Sequence, residues 1–226
     1  TAESGITLRE ILTVIVPKGW FLPVTPGTSY VTLGGAIASD VHGKNHHIAG
    51  TFGQHTTSLN LMLGTGKLIT ASKHENADLF HATCGGMGLT GVIISATIQL
   101  ISIRSSYINQ KTIKADCIES ACELFEDNND ATYSVAWIDC LAKDKNLGRS
   151  VLMLGEHAKE GGLEIELKEP ISVPFNTPSA LLNSMTMKTF NSAYWHKAKD
   201  KPHHTVPLMP YFYPLDAIGN WNRIYG

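Results

Sequence analysis

The sequence lacks most of the features that would announce a function class. Its four cysteines, Cys84, Cys117, Cys122 and Cys140, include no C-x-x-C pair, which removes the spacing of a zinc ribbon. Reduced thiols and a cytoplasmic setting are the default expectation from this cysteine usage. Membrane association or a periplasmic place stays open for the full-length protein. No apolar run approaches the roughly 18 residues that span a bilayer, and no signal peptide is visible. Neither sign of charge dominates: 18 Lys and Arg stand against 20 Asp and Glu, a net −2 with histidine neutral. A general nucleic-acid binder carries a strongly basic face, so nucleic acid is not an expected partner. There is no G-x-S-x-G elbow and no H-E-x-x-H, which argues against serine hydrolysis and a zincin site.

What the chain does have is glycine in clusters. Gly34 to Gly53 reads GGAIASDVHGKNHHIAGTFG, and Thr83 to Val92 reads TCGGMGLTGV. Neither is a G-x-G-x-x-G that follows a strand and opens a helix, so a Rossmann reading lacks its context. One Gly-Gly pair alone is explained by a tight turn and close packing. Two such stretches, with side chains removed and backbone amides exposed, suit a large flat ligand or its pyrophosphate lying along main chain. The first stretch also crowds His42, Lys44, His46 and His47 together. A zinc site on these histidines is disfavoured, because Gly43 and the loop signals after it argue against a helix that would align them. His46 and His47 read better as turn caps.

Local signals place the elements. Thr7-Leu-Arg-Glu10 is a capping box, followed by Leu8, Ile11, Leu12 and Ile15 at helical spacing and stopped at Pro17 and Gly19. SLNLMLGTGKLITAS is a hairpin around Gly64 and Gly66, and ENADLFHAT is a short helix. A glycine-rich turn then enters the long strand GVIISATIQLIS. DCIESACELFEDN is an amphipathic helix, and TYSVAWIDC alternates as a strand that places Trp137 in a core by default. Residues 156 to 210 are less regular and proline-rich, as expected of connections over a sheet, with His203-His204 as an exposed loop pair. Asp216 and Arg223 read as structural, and as partners of each other. Cys84 reads as a small buried side chain. The character of the chain changes at about residues 100 to 106, and no internal repeat is present.

Taken jointly, PVTPGTSYVTLGGAIASDVHGKNHHIAGTFG and LFHATCGGMGLTGVI resemble the second half of the FAD domain in the vanillyl-alcohol-oxidase (PCMH) flavoproteins. HGKNHH, YSVAWID and FYPLDAIGNWNRIYG resemble the sugar-oxidising members of that family. The resemblance implies an α+β chain: residues 1–103 as the C-terminal part of a PCMH-type FAD-binding domain, and 104–226 as an incomplete substrate domain on an antiparallel sheet. It implies FAD held noncovalently along Gly27, Thr32, Leu33, Gly34, Gly35, Ser39, Asp40, Val41, His42 and Ile93. His42 and Lys44 match catalytic positions at the flavin-facing end of the substrate pocket. There a cation stabilises negative charge on the reduced flavin or orients the sugar hydroxyl. Trp137, Tyr211, Phe212, Leu215 and Trp221 match the substrate pocket.

The implied reaction is oxidation of a secondary hydroxyl on a sugar, a polyprenyl-phosphate-linked pentose, with a reductase partner completing epimerisation. An aldonolactone-type sugar oxidase and a non-catalytic carbohydrate- or lipid-binding module stay open as alternatives. The family's upstream pyrophosphate loop and its downstream tyrosine, lysine and inhibitor-reactive cysteine find no match here, so none of the four cysteines takes that last role. The chain therefore reads as an internal fragment, expected to be inactive alone and to hold FAD weakly. In it, Trp137, Tyr211 and Trp221 are expected to be more exposed than core aromatics.

Overall fold

Thr7 opens the first helix with the reciprocal pair that its spacing predicts. Its hydroxyl accepts the Glu10 N–H at 3.2 Å, and the Glu10 carboxylate accepts the Thr7 N–H at 2.8 Å. The computed structural model describes residues 1–178 and 182–225. A short strand β1 (Ala2–Glu3) precedes this helix, α1 (Leu8–Ile15), which buries Leu8, Ile11 and Leu12. Gly19 then turns the chain at a φ of +79° into β2 (Trp20–Phe21). Two short helices follow, α2 (Leu33–Ala38) and α3 (His46–Ala49). The expected hairpin is β3 (Thr56–Met62) with β4 (Leu68–Ser72), closed by Leu63 donating to the Lys67 carbonyl at 2.9 Å. Next come α4 (Ala77–Thr83), with Phe80 buried, β5 (Val92–Ile98) and β6 (Ile101–Ser102). Antiparallel pairing gives one sheet in the order β1-β5-β3-β4, while β2 pairs with β6.

The second sheet is more regular. Its strands are β7 (Tyr107–Ala115), β8 (Tyr133–Ile138), β9 (Ser150–His157) and β11 (Lys201–Pro207), in the antiparallel order β11-β7-β9-β8. Helix α5 (Ile118–Asp127) links β7 to β8 and packs on β7 and β9. Between β9 and β11 lie the two-residue β10 (Ile171–Ser172) and α6 (Ser184–Lys197). Helix α7 (Leu208–Phe212) follows β11, and β12 (Ile218–Gly219) and α8 (Asn222–Tyr225) come last.

Residues 156–210 are therefore more ordered than their composition suggests. Asn183 caps α6 by accepting the Met185 and Thr186 N–H groups at 2.8 and 3.1 Å. Pro202 and Pro207 are tolerated because β11 is an edge strand, where a missing N–H breaks no ladder. His203 and His204 consequently sit on this strand rather than in a loop, with His204 opposite Gln110 after a bulge.

The compact units do not follow a single cut in the sequence. The first comprises Thr1–Ser106 together with Lys159–Glu166 and Leu208–Asp216; the second comprises Tyr107–Ala158, Leu167–Pro207 and Ala217–Gly226.

Candidate functional site: a glycine-lined main-chain surface

The first glycine stretch is built on α2. Thr32 caps this helix, its hydroxyl accepting the Gly35 N–H at 3.1 Å. The Leu33 and Gly34 N–H groups donate to the Ile6 and Ser4 carbonyls, each at 2.8 Å. The amides expected to face a pyrophosphate are thus spent within the chain at all three positions. What the stretch offers is room. A Cβ on Gly35 would meet only Thr32 Oγ1, at 3.1 Å, and one on Gly27 would meet only Leu215, at 3.7 Å. Gly34 is glycine for another reason, because a Cβ there would lie 2.9 Å from the Ser4 Cβ.

After α2 the chain turns at Asp40, which adopts a φ of +42°. Its carboxylate accepts the Gly53 N–H at 2.7 Å, and the Phe52 N–H donates to the Val41 carbonyl at 2.9 Å. The second glycine stretch docks at the same place: Gly85 donates to the Ile37 carbonyl at 3.0 Å and Met87 to the Ala38 carbonyl at 2.9 Å. Ser39 and His42 are left exposed along this surface. Ile93 is buried and pairs with Leu61 on the neighbouring strand. Cys84 lies beneath, its thiol pushed up to about 11 by burial and then by the Asp40 charge, which makes it a poor nucleophile.

Lys44 is half-buried. Its ammonium lies 3.5 Å from the Phe212 carbonyl and 5.8 Å from the Tyr211 ring centroid. Burial lowers its pKa from the usual lysine value. The loop carrying it is fixed by Asn45, whose side-chain amide donates to the Pro23 carbonyl at 2.8 Å, and by Gly43, whose Cα faces the Thr25 backbone too closely for a Cβ. Helix α3 begins only at His46, so His42 lies outside it. The rings of His42 and His47 flank that of His46 at 5.8 and 5.7 Å. Among the described residues no group of three His, Cys, Asp or Glu could hold a metal ion.

The segment 208–216 packs on residues 21–29 within the same unit. Phe212 stacks on Phe21 at 4.9 Å, and the Tyr213 hydroxyl shares a 2.7 Å hydrogen bond with Thr25 Oγ1. The buried Asp216 carboxylate accepts from Thr28 Oγ1 at 2.6 Å, from the Ser29 N–H at 3.0 Å and from Ser29 Oγ at 2.5 Å. Tyr213, Asn45 and the Asp216 cluster carried no recognisable signal in the sequence, since their partners are remote in the chain.

Residues 1–72 match the family described as FAD binding domain. Over 99% of its length the chain is 35% identical to decaprenylphosphoryl-beta-D-ribose oxidase of Mycolicibacterium smegmatis, covering 51% of that protein. Residues 1–72 thus carry an FAD binding domain, and nearly the whole chain is similar to one half of a PCMH-type FAD-dependent oxidoreductase. Its identity to D-arabinono-1,4-lactone oxidase of Yarrowia lipolytica is 29% over half the chain and 21% of that protein. To the human Delta(24)-sterol reductase it is 28% over 54% of the chain and 24% of that protein. The chain spans about half the length of the curated relatives that it matches most fully.

FAD is the cofactor of this flavoprotein family, and the residues present fit it. The open, side-chain-free surface at Gly27 and Gly35 is what a flat ligand lying on main chain requires. One expectation for the aromatic residues, the exposure of Tyr211, needs correction. Tyr211 and Phe212 are buried, at 6% and 1% exposure, because α7 turns them into the flavoprotein's own core. Of that segment's substrate candidates, Leu215 alone is exposed. In the second unit, Trp137 is half-buried on β8, its ring 4.6 Å from that of Tyr194 on α6, and Trp221 is half-buried just before α8. Arg223 is not the partner of Asp216. It donates to the Val173 and Pro174 carbonyls at 2.8 and 3.0 Å.

Proposed function

We propose that the whole protein oxidises a secondary hydroxyl on a lipid-linked sugar, most specifically a polyprenyl-phosphate-linked pentose. The observation that carries this reading is a glycine-lined surface in the same unit as a half-buried cation, Lys44, held by the Phe212 carbonyl. Gly27, Thr32 to Gly35, Ser39 to His42 and the main chain at Ile93 would hold FAD, which supplies a hydride acceptor at N5 when bound. In this proposal residues 1–103 with the returning segment 208–216 contact the cofactor, and side chains of the second sheet contact the substrate.

The protein residues supply positioning and electrostatics. Lys44 carries a charge poorly screened by water, so it acts strongly on a nearby oxygen. It orients the hydroxyl and opposes negative charge that develops beside it. His42, exposed on the same loop, takes or relays the hydroxyl proton. Tyr211 and Phe212 act from behind, fixing Lys44, while Leu215, Trp137 and Trp221 offer apolar surface to the sugar or its polyprenyl chain. The keto product would pass to a reductase partner that completes epimerisation.

Anaerobic mixing of the FAD-loaded full-length protein with a polyprenyl-phosphoryl pentose tests this directly. Flavin absorbance should bleach, and Lys44→Ala and His42→Ala should retain FAD while slowing bleaching about 10- to 1000-fold. Parent rates in both variants would reduce these residues to bystanders. A second reading, an aldonolactone-type oxidase, draws on the similarity to the Yarrowia enzyme. Bleaching by a free aldonolactone but not by the lipid-linked sugar would favour it.

A further inference from the structure

Helix α6 is buried along one side and leaves apolar residues exposed away from it. Asn191 and Trp195, four residues apart, are buried against the second unit's sheet; the Trp195 ring lies under the Lys114 ammonium at 4.0 Å. Away from that stripe, Met185 is 77% exposed, Phe190 57% and Tyr194 38%. Phe190 stacks on Tyr194 at 6.4 Å, and Tyr194 on Trp137 at 4.6 Å, so three rings form a row running from the helix to β8. Such a row is costly to leave in water unless something covers it.

Charge identifies what does. Residues 182–201 carry four exposed lysines, Lys188, Lys197, Lys199 and Lys201, against one acid, Asp200, in a chain whose net charge is −2. That one carboxylate is occupied, accepting the Lys114 N–H at 2.8 Å. No acidic side chain lies on α6 itself. Aromatic rings with lysines beside them match the headgroup zone of an anionic bilayer, where rings enter the interface and ammonium groups meet phosphate. No helix among the described residues is long and apolar enough to cross a membrane.

We infer that the outward side of α6, continued by Trp137, docks on an anionic phospholipid surface. This rests on exposure, ring geometry and charge in the second unit, and stands whether or not the proposed sugar oxidation is correct.

Co-sedimentation of the 226-residue protein with vesicles tests it, using phosphatidylcholine alone and phosphatidylcholine with about 30 mol% phosphatidylglycerol. Binding should occur to the anionic vesicles alone, with a blue shift of tryptophan fluorescence that Trp137→Phe diminishes. The Met185→Ser/Phe190→Ser double variant should weaken partitioning about ten-fold. Lys197→Glu with Lys199→Glu, which leaves the apolar row intact, should weaken it by at least about five-fold per lysine. Far-ultraviolet circular dichroism checks that each variant keeps its fold. Equal binding to both vesicle types, no binding to either, or binding indifferent to both variants would overturn the inference. Concentration-dependent dimerisation that the Met185/Phe190 variant abolishes, without vesicle binding, would assign the row to a second copy and overturn it too.

Discussion

The two units use glycine and side chains in opposite ways. In the first, the candidate site is main chain: Gly27 and Gly35 leave space, Gly34 and Gly43 let backbone segments approach one another, and Gly53 makes room for the Asp40 and Cys84 side chains. In the second, the sheet register lines Gln110, Thr112 and Lys114 up with Gly155, Met153 and Val151, and the latter two with Val135 and Trp137. Recognition there must come from side chains standing on a regular lattice. A main-chain surface discriminates by shape and tolerates little change, whereas a side-chain face can be retuned residue by residue. The contrast suits the proposed division, with an invariant ligand such as a cofactor on the first unit and a variable one such as a substrate on the second.

The sharpest way to break that contrast is at two glycines eight residues apart. Gly43→Ala places a Cβ against the Thr25 backbone, where neither side can yield. A loss of about 3 kcal/mol or more of stability is expected in urea unfolding. Gly35→Val should cost far less stability, since its Cβ crowds only the Thr32 hydroxyl, yet lower FAD affinity of the full-length protein about 100-fold by filling the ligand's volume. If instead Gly35→Val unfolds the chain, or keeps stoichiometric flavin, the division between packing glycines and ligand glycines fails.

Asp216→Ala comes next. It strands the Ser29 N–H and hydroxyl and the Thr28 hydroxyl in a buried site, at a cost of about 2 to 3 kcal/mol. Asp216→Asn should cost less, since one oxygen acceptor remains. A Tyr213→Phe variant reports on the same segment through its bond to Thr25, with about 1 kcal/mol expected.

The last effect lies in the second unit and, unlike the others, is expressed only as pH falls. His157, beside the Tyr133 hydroxyl at 3.1 Å, has its pKa lowered by burial from 6.5 to about 4. Between those values the unfolded chain binds the proton and the folded chain does not. Stability is therefore complete above pH 6.5 and falls as pH drops toward 4, by up to about 2 kcal/mol after allowing for partial solvent access. His157→Gln should flatten the curve in that window. Superimposable pH curves for parent and variant would show that the imidazole is not desolvated as described.

How much of this is legible in the sequence depends on the distance over which each signal acts. The Thr7–Glu10 capping box, the β3–β4 hairpin, α5 and β8 are written in residues a few positions apart, and all four form as read. The family is legible because several motifs occur together. Helix α6 escaped because exposed apolar residues away from its buried side blur its periodicity, and β11 because its prolines are permitted at an edge. Gly34 and Gly35 cannot be told apart without knowing that Ser4 crosses beside only the first. The burial of Tyr211 and Phe212 is not legible either, since an aromatic cluster has the same composition in a core as against a ligand.

The hydrogen bonds from Thr25 to Tyr213 and from Ser29 to Asp216 join positions 188 and 187 residues apart. Loop closure over that span adds little to the equilibrium cost, because its entropy grows only logarithmically with length. The consequence is kinetic. At about 5 to 20 residues per second on the ribosome, roughly ten to forty seconds separate the synthesis of Ser29 from that of Asp216. Through that interval Phe21 and the Ser29 donors wait without their native cover on the nascent chain. The unit whose sheet is translated first is thus completed only after most of the other has emerged, with residues 21–29 uncovered until then.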